Sequence, residues 1–180
     1  DAIAARPWFL CSANQPSEQE AILWKSTKDR LFKIQVNPYP IFKRHLTISL
    51  VEHLPQVCYY QDMMEIAQQL PEHVIMFNGD GCGASAPDHM HFQATLQSEL
   101  PLCAELEARN GDGVDSCYGS RNELWMDGRS GRQLVYARTE IPDSAVIGDL
   151  HSALGAWRRN ALCWYNGGSW HFRQCIFDNI

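Results

Sequence analysis

The stretch that decides the fold reads Asn78-Gly79-Asp80-Gly81-Cys82-Gly83-Ala84-Ser85-Ala86-Pro87-Asp88-His89-Met90-His91-Phe92-Gln93. Its first half contains too much glycine to pack into a core, and this predicts a loop. Its second half alternates polar and apolar residues, and this predicts a strand. Successive side chains of a strand point to opposite faces, so we expect His89, His91 and Gln93 to form a row on one face.

The loop is suited to binding a phosphate group. Glycines at three alternate positions, 79 to 83, allow backbone N–H groups to converge on an anion, and Ser85 adds a hydroxyl donor. The candidate substrate-binding residues of the loop are Asn78, Gly83, Ala84 and Ser85.

The polar row of the strand predicts phosphoryl chemistry. A neutral imidazole is nucleophilic at neutral pH, so His91 can attack phosphorus, and the resulting phosphoimidazole is labile enough to turn over. The Gln93 carboxamide can hold a phosphoryl oxygen but cannot protonate a leaving group. The pattern therefore favours a leaving group that departs as an anion, and transfer over hydrolysis. The candidate catalytic residues are His89, His91 and Gln93; the alternative is an exposed hairpin with two incidental histidines.

Periodicity predicts a sheet with a helix in the first half of the chain. Ser17 and Glu20 form a capping box, which adds a short helix over residues 17–24. The order of the elements favours an α+β fold, an antiparallel sheet with helices packed on one face. The expected strands cover residues 31–36, 45–50 and 73–77, and the main helix covers residues 57–70.

Organisation is weaker beyond residue 101. Glycine, serine, aspartate and arginine predict a loop over residues 116–131, and a glycine turn predicts a hairpin over residues 162–176. The other expected elements are helices at 102–110 and 145–160 and a strand at 134–138.

Composition limits the class of protein. The 180 residues are 45% hydrophobic, which is typical of a globular protein, and no apolar run approaches the length needed to cross a bilayer. The net charge of -6 gives no global attraction for nucleic acid or anionic lipid, so neither is an expected partner. The seven cysteines are odd in number and form no C-x-x-C pair, which favours a reducing, cytoplasmic setting.

The motifs resemble a known family. Residues 89–93, following Gly83-Ala84-Ser85-Ala86-Pro87, are similar to the H-x-H-x-Q signature of the galactose-1-phosphate uridylyltransferase branch of the histidine triad superfamily. That branch includes dinucleoside tetraphosphate phosphorylases and GDP-hexose phosphorylases. Three more motifs, at residues 9–14, 37–48 and 53–56, resemble an uncharacterised bacterial group within it.

The resemblance implies an organisation and further site residues. It implies a catalytic domain of the histidine triad type over residues 1–105, and a degenerate second half over residues 106–180 that continues or covers the sheet. Asn37 precedes Pro38 and starts a turn in any case, and in the resembling family this asparagine contacts the nucleotide. Relatives often place partner residues near the active site, so a homodimer is a possible assembly.

The resemblance also raises the question of a metal. Relatives bind a structural zinc through a C-x-x-C pair and two downstream histidines. Here Cys11, His53 and His89 match three ligands, but Trp8 holds the position of the fourth. Three ligands seldom form a closed structural zinc site, so we expect no metal and no other cofactor, with Cys11 as a small buried residue.

Together the residues and the resemblance predict a nucleotidyltransferase or phosphorylase that works through a nucleotidyl group on His91. The expected substrate is a nucleoside diphosphate sugar or a dinucleoside polyphosphate, and the expected acceptor is inorganic phosphate or a sugar phosphate. The alternatives are a nucleotide hydrolase of the histidine triad type and a non-catalytic nucleotide-binding module. Solitary histidines such as His45 are expected to be surface or hydrogen-bonded core residues, and Lys43 and Arg44 to lie in a solvated loop.

Overall fold

The computed structural model describes residues 10–80, 84 and 86–101, and beyond them the strands at 115–116, 122–126, 134–139, 160–166 and 169–175. In these later strands, side chains are described only at residues 161–163 and 165. The helix expected at 102–110 therefore lies outside the described residues, as does the helix expected at 145–160 except for its last residue, which begins a strand.

The first hundred residues contain the elements that form the site. The three strands expected here are confirmed, and α1 is confirmed with a start three residues later than expected. The helix ends just before Pro71, which cannot continue it. In chain order the elements are β1 Ala21–Lys25, β2 Leu31–Val36, β3 Leu46–Leu50, α1 Tyr60–Gln69, β4 His73–Phe77 and β5 His91–Leu96.

Five more strands follow. The expected hairpin is confirmed as β9 and β10, which pair antiparallel, and the expected strand at 134–138 is confirmed as β8. The loop expected over residues 116–131 is wrong at β7, because Leu124 and its neighbours pair with β8 despite the polar residues around them. These strands are β6 Asp115–Ser116, β7 Asn122–Met126, β8 Leu134–Thr139, β9 Asn160–Asn166 and β10 Ser169–Cys175.

The ten described strands form one sheet in the order β1-β2-β3-β5-β4-β9-β10-β8-β7-β6. Every neighbouring pair is antiparallel. The expected antiparallel α+β architecture is therefore confirmed. No helix in the described part of the chain is both long and apolar enough to cross a membrane.

The short helix expected over residues 17–24 is wrong. Residues 21–25 instead form β1, which pairs with β2 from Ala21 opposite Gln35 to Lys25 opposite Leu31. A tight turn joins the two strands, in which the N–H of Ser26 donates to the carbonyl of Arg30 at 2.9 Å. Strand pairing overrides the capping pattern, because a helix this short gains little without tertiary packing.

One face of the sheet forms the hydrophobic core. Phe32, Ile48 and Phe92 lie on adjacent strands of this face and are fully buried, and the Phe32 and Phe92 rings stack with centroids 6.0 Å apart. Helix α1 packs on the same face with its apolar side chains, among them Met63 and Ile66. This packing fixes the register of the three strands, since a one-residue slip would turn the aromatic rings to the other face.

The opposite face is polar and yet buried. Register places Lys33, Ser49 and His91 in one cross-strand row. A second row, two residues further along, contains Gln35, Thr47 and Gln93. Of these six, all but Gln93 are buried. Buried polar side chains need partners, so this face is where a ligand site is expected.

An ion pair ties the β1–β2 hairpin to α1. The Nε and Nη2 atoms of Arg30 each lie 2.6 Å from Oδ2 of Asp62, which is 0% exposed. The guanidinium also lies over the Tyr59 ring, 4.2 Å from its centroid. Lys25 and Asp29 form an equally short pair at 2.6 Å on the surface.

These two pairs give a matched test of stability. Arg30→Met leaves the Asp62 carboxylate buried without its ionic partner, and we expect a loss of about 3–5 kcal/mol in the free energy of unfolding. Lys25→Met removes an exposed pair and should cost less than about 1 kcal/mol. Urea denaturation at pH 7 measures both. Equal losses in the two variants would contradict the structural role assigned to Arg30.

Candidate active site

A cavity of about 720 Å³ lies against the polar face of the sheet. Its floor is formed by side chains of β2, β3 and β5, and its rim by the segments before β1 and after β2. The described lining residues include no lysine, arginine, aspartate or glutamate. The lining is Leu10, Asn14, Pro16, Gln19, Gln35, Asn37, Pro38, Tyr39, Ile41, His45, Thr47, His91 and Gln93.

His91 is the first residue of β5 and presents one ring nitrogen to this cavity. Its Nδ1–H donates to the carbonyl of His89 at 2.9 Å, so the lone pair resides on Nε2. Nε2 has no hydrogen-bond partner among the described residues. The side chain is only 3% exposed, and burial lowers the pKa of its ring, which favours the neutral form. The arrangement is that of an oriented nucleophile.

Gln93 lies beside His91 on the same face, with its amide oriented by a histidine. The N–H of Ile41 donates to Nδ1 of His45 at 3.3 Å, so the proton of that ring is on Nε2. Nε2–H of His45 then donates to Oε1 of Gln93 at 2.8 Å. With its oxygen occupied, Gln93 has its NH₂ group left to donate to a ligand. The expectation that His45 is a hydrogen-bonded core residue is confirmed, but its partner is a site residue.

Gln56 holds the backbone on both sides of the glycine loop. Its Oε1 accepts from the N–H of His91 at 2.8 Å, and its Nε2 donates to the carbonyls of His91 and Asn78, both at 2.9 Å. Its own N–H donates to the carbonyl of Pro87 at 3.2 Å. The side chain is buried, with 3% exposure. Gln56 thus fixes the start of β5 relative to both ends of the loop.

The His89 ring does not lie in the cavity, which corrects the expected row of three side chains. β5 begins at His91, and residues 87–89 form a turn in which the N–H of His89 donates to the carbonyl of Ala86 at 3.2 Å. The His89 side chain instead points to Cys11 and His53. What His89 contributes next to His91 is its main-chain carbonyl.

Three donor atoms converge where His89 points. Nδ1 of His89 lies 3.1 Å from Nδ1 of His53 and 3.4 Å from Sγ of Cys11, and the remaining pair is 3.3 Å apart. Nε2–H of His89 donates to the carbonyl of Leu50 at 2.7 Å, which leaves the Nδ1 lone pair facing the cluster. Cys11 is only partly buried, so the expectation of a small buried residue is wrong.

This cluster fits the zinc that the resemblance raised. One thiol and two imidazole nitrogens are donors that zinc prefers, and the carbonyl behind His89 is the usual outer support of such a ligand. Cys11, His53 and His89 would hold the ion, which would supply a cross-link between three chain segments. Trp8, at the position of the fourth ligand, lies outside the described residues. Metal analysis of the purified protein tests the prediction of no metal.

The remaining predicted site residues are placed as follows. Asn37 lines the cavity, and its Oδ1 accepts from the N–H of Tyr39 at 2.8 Å, so the expected turn is confirmed. Asn78 contributes its carbonyl to Gln56 and does not line the cavity, and Ala84 is half-buried outside it. Gly83 and Ser85 lie outside the described residues.

The two basic residues that directly precede His45 do not line this cavity. Lys43 and Arg44 are exposed and lie 3.8 Å from Glu99 and 3.7 Å from Glu72, which confirms the expected solvated loop. The buried cation of the polar face is Lys33, whose Nζ donates to the carbonyl of Leu10 at 3.1 Å.

Sequence reasoning missed three residues of the site, His45, Gln56 and Gln35. Gln56 belongs to the motif at residues 53–56, but its partners are 22 and 35 residues away, so only the fold brings them together. Gln35 had a signal in the sequence, because the alternation of β2 places it on the face opposite Phe32.

A family model described as a domain of unknown function, DUF4922, matches residues 1–96, which is more than half of the chain. The chain belongs to the DUF4922 family. No curated protein matches it significantly.

Solved structures share the fold of this DUF4922 protein. A DUF4931 family protein from Bacillus cereus has a TM-score of 0.53 and 15% identity, with 83% of each chain covered. Yeast Ap4A phosphorylase Apa2 in complex with Ap4A has a TM-score of 0.53 and 14% identity, with 88% of this chain and 73% of that chain covered. These likenesses support the fold of the histidine triad type. Closeness to one bacterial group stays a prediction.

The role of Gln56 predicts a large effect from a small change. Gln56→Glu replaces an N–H donor with an anion that faces two buried carbonyls, and we expect a loss of about 2–4 kcal/mol in the free energy of unfolding. Gln97 is the control, since its Nε2 also donates to two carbonyls, those of Pro71 and Tyr165, but nearer the surface. Gln97→Glu should cost less than about 1 kcal/mol. Similar losses of unfolding free energy in the two variants, measured by urea denaturation, would contradict the role assigned to Gln56.

Proposed function

We propose that this protein is a nucleotidyltransferase of the phosphorylase type. Its substrate is a nucleoside diphosphate sugar or a dinucleoside polyphosphate, and its acceptor is inorganic phosphate or a sugar phosphate. The observation that carries the proposal is the Nε2 lone pair of His91, held toward a nucleotide-sized cavity beside the Gln93 amide.

The first step forms a bond between His91 Nε2 and the α-phosphorus as the bond from phosphorus to the bridging oxygen breaks. The leaving group takes that electron pair and departs as an anion: a sugar phosphate from a nucleoside diphosphate sugar, or a nucleoside polyphosphate from a dinucleoside polyphosphate. The imidazole gains positive charge in this step, while Nδ1–H stays in place and its hydrogen bond to the His89 carbonyl becomes stronger. In the second step the acceptor oxygen attacks the same phosphorus and releases His91 neutral.

Gln93 stabilises the phosphoryl oxygens during both steps. Its NH₂ group donates hydrogen bonds to the phosphoryl oxygens and stabilises their negative charge without transferring a proton. Phosphoryl transfer depends mainly on such positioned donors. A carboxamide has no proton to give to a leaving group, and an anionic phosphate needs none. Gln93 therefore supports transfer between phosphates over the hydrolysis of a nucleotide amide or ester.

Residues around His91 and Gln93 also have proposed roles. Gly83 and Ser85 would complete the phosphate cradle with Ala84, and Asn37 would contact the nucleotide. Residues 106–180 would form the degenerate second half, next to a catalytic domain over residues 1–105. The shared fold with yeast Ap4A phosphorylase, solved in complex with Ap4A, supports a dinucleoside polyphosphate as one substrate. A cytoplasmic setting and a homodimer are also proposals.

The covalent intermediate can be detected directly. On mixing with Ap4A or a nucleoside diphosphate sugar, we expect intact-protein mass spectrometry to show one added nucleoside monophosphate, mapped to His91, because Nε2 is the oriented nucleophile. His91→Ala should abolish the adduct. His73→Ala, which changes another strand histidine distant from the cavity, should keep it. An adduct that persists in His91→Ala would contradict the proposed mechanism.

Substitution of Gln93 provides a second test of the proposed function. Gln93→Glu still accepts from His45, but its other oxygen repels the phosphoryl group, and we expect kcat to fall about 10²–10³-fold. Phosphate-dependent turnover measures this, with Gln68→Glu on the exposed part of α1 as the matched control. In the wild type, inorganic phosphate should be consumed as acceptor. If water competes equally with phosphate, the hydrolase replaces the proposed function.

A further inference from the structure

Gln35 is a buried amide at the floor of the cavity with an unused hydrogen-bonding atom. The residue is 5% exposed and lines the cavity. Its Oε1 is buried and has no hydrogen-bond partner in the part of the chain that the structure describes. A buried acceptor without a partner is unfavourable, so this atom is satisfied when a ligand brings a donor.

The position of Gln35 fits the far end of a nucleotide. It lies in one cross-strand row with Thr47 and Gln93, two strands away from Gln93. Adjacent strands are about 4.8 Å apart, so Gln35 and Gln93 are separated by about 10 Å across the sheet. This distance is comparable to the reach of a nucleotide from its phosphate to the edge of its base.

The lining near Gln35 suits a base better than a charged group. The described lining contains no lysine, arginine, aspartate or glutamate. Lys33, on the same face of β2, donates to the carbonyl of Leu10 and does not line the cavity. The rim offers apolar surface from Tyr39 and Ile41, which are 85% and 76% exposed. A flat, neutral ring with polar edges suits such a pocket.

We propose that Gln35 is the specificity-determining residue of this site and reads the edge of the nucleobase. This inference rests on the proposed nucleotide chemistry and names the part of the substrate that Gln35 selects. Oε1 accepts from an exocyclic amine or ring N–H, and the amide NH₂ donates to an adjacent acceptor of the same base. A carboxamide pairs with a base edge in this two-point manner.

Nucleotide binding tests the role. Calorimetric titration compares AMP, GMP, CMP, UMP and ribose 5-phosphate, which lacks a base. In the wild type we expect at least one nucleotide to bind about tenfold or more tightly than ribose 5-phosphate, the effect of one buried hydrogen-bonded group. Gln35→Leu should remove most of this preference and leave ribose 5-phosphate binding unchanged. Gln68→Leu, on the exposed part of α1, should behave as the wild type.

Gln35→Glu supplies a second test. It keeps an acceptor but loses the donor, so we expect the order of preference among the four bases to change. A base preference that is the same in the wild type, Gln35→Leu and Gln35→Glu overturns the inference, as does a wild type that binds all four nucleotides no better than ribose 5-phosphate. If Gln35→Leu fails to fold, Gln35→Glu decides alone.

Failure of this inference is distinct from failure of the proposed function. A His91 adduct that forms equally with all bases and ignores Gln35 rejects the specificity role and keeps the transferase. A base preference that depends on Gln35, without any adduct or turnover, keeps the binding role and rejects the transferase.

Discussion

The hydrogen bond from Nδ1–H of His91 to the carbonyl of His89 is the interaction on which the site depends. It decides which ring nitrogen carries the lone pair, and it holds that nitrogen toward the cavity. The carbonyl is itself fixed, because residues 87–89 form a turn and the His89 ring donates to Leu50 behind it. Gln56 fixes the other side, through the N–H and carbonyl of His91. The proposed nucleophile is therefore positioned by the main chain of residues 89–91 and by Gln56.

One face of the sheet packs the hydrophobic core, and the other face forms the candidate site. Aromatic and aliphatic side chains on the α1 face fix the register, and that register places Gln35, Thr47 and Gln93 in one row on the other face. Polar groups buried there are costly until they find partners. Ser49, opposite His91, also has a buried hydroxyl without a partner among the described residues. Of Gln35 and Ser49, Gln35 is the one that lines the cavity.

The sequence predicted what depends on local pattern. The alternation of β2 was sufficient to place it, and the motif at residues 89–93 predicted that His91 and Gln93 share a face. It failed where tertiary contacts override that pattern: a capping box predicts a helix over residues 17–24, but residues 21–25 pair as β1, and a turn takes His89 out of the strand. His45 and Gln56 could not be assigned roles, because a solitary histidine or glutamine carries no periodicity and their partners are distant in the chain. Only the resemblance to the known family indicated that Cys11, His53 and His89 lie together.

The protonation state of the His91 ring tests the account most directly. Long-range proton–nitrogen correlation NMR on protein with ¹⁵N-labelled histidine distinguishes the two neutral tautomers and the cation, and comparison with His91→Ala assigns the signal. The account predicts a neutral ring at neutral pH with its proton on Nδ1 and a bare Nε2. A proton on Nε2 of the wild-type ring, in either the neutral or the charged form, would contradict it.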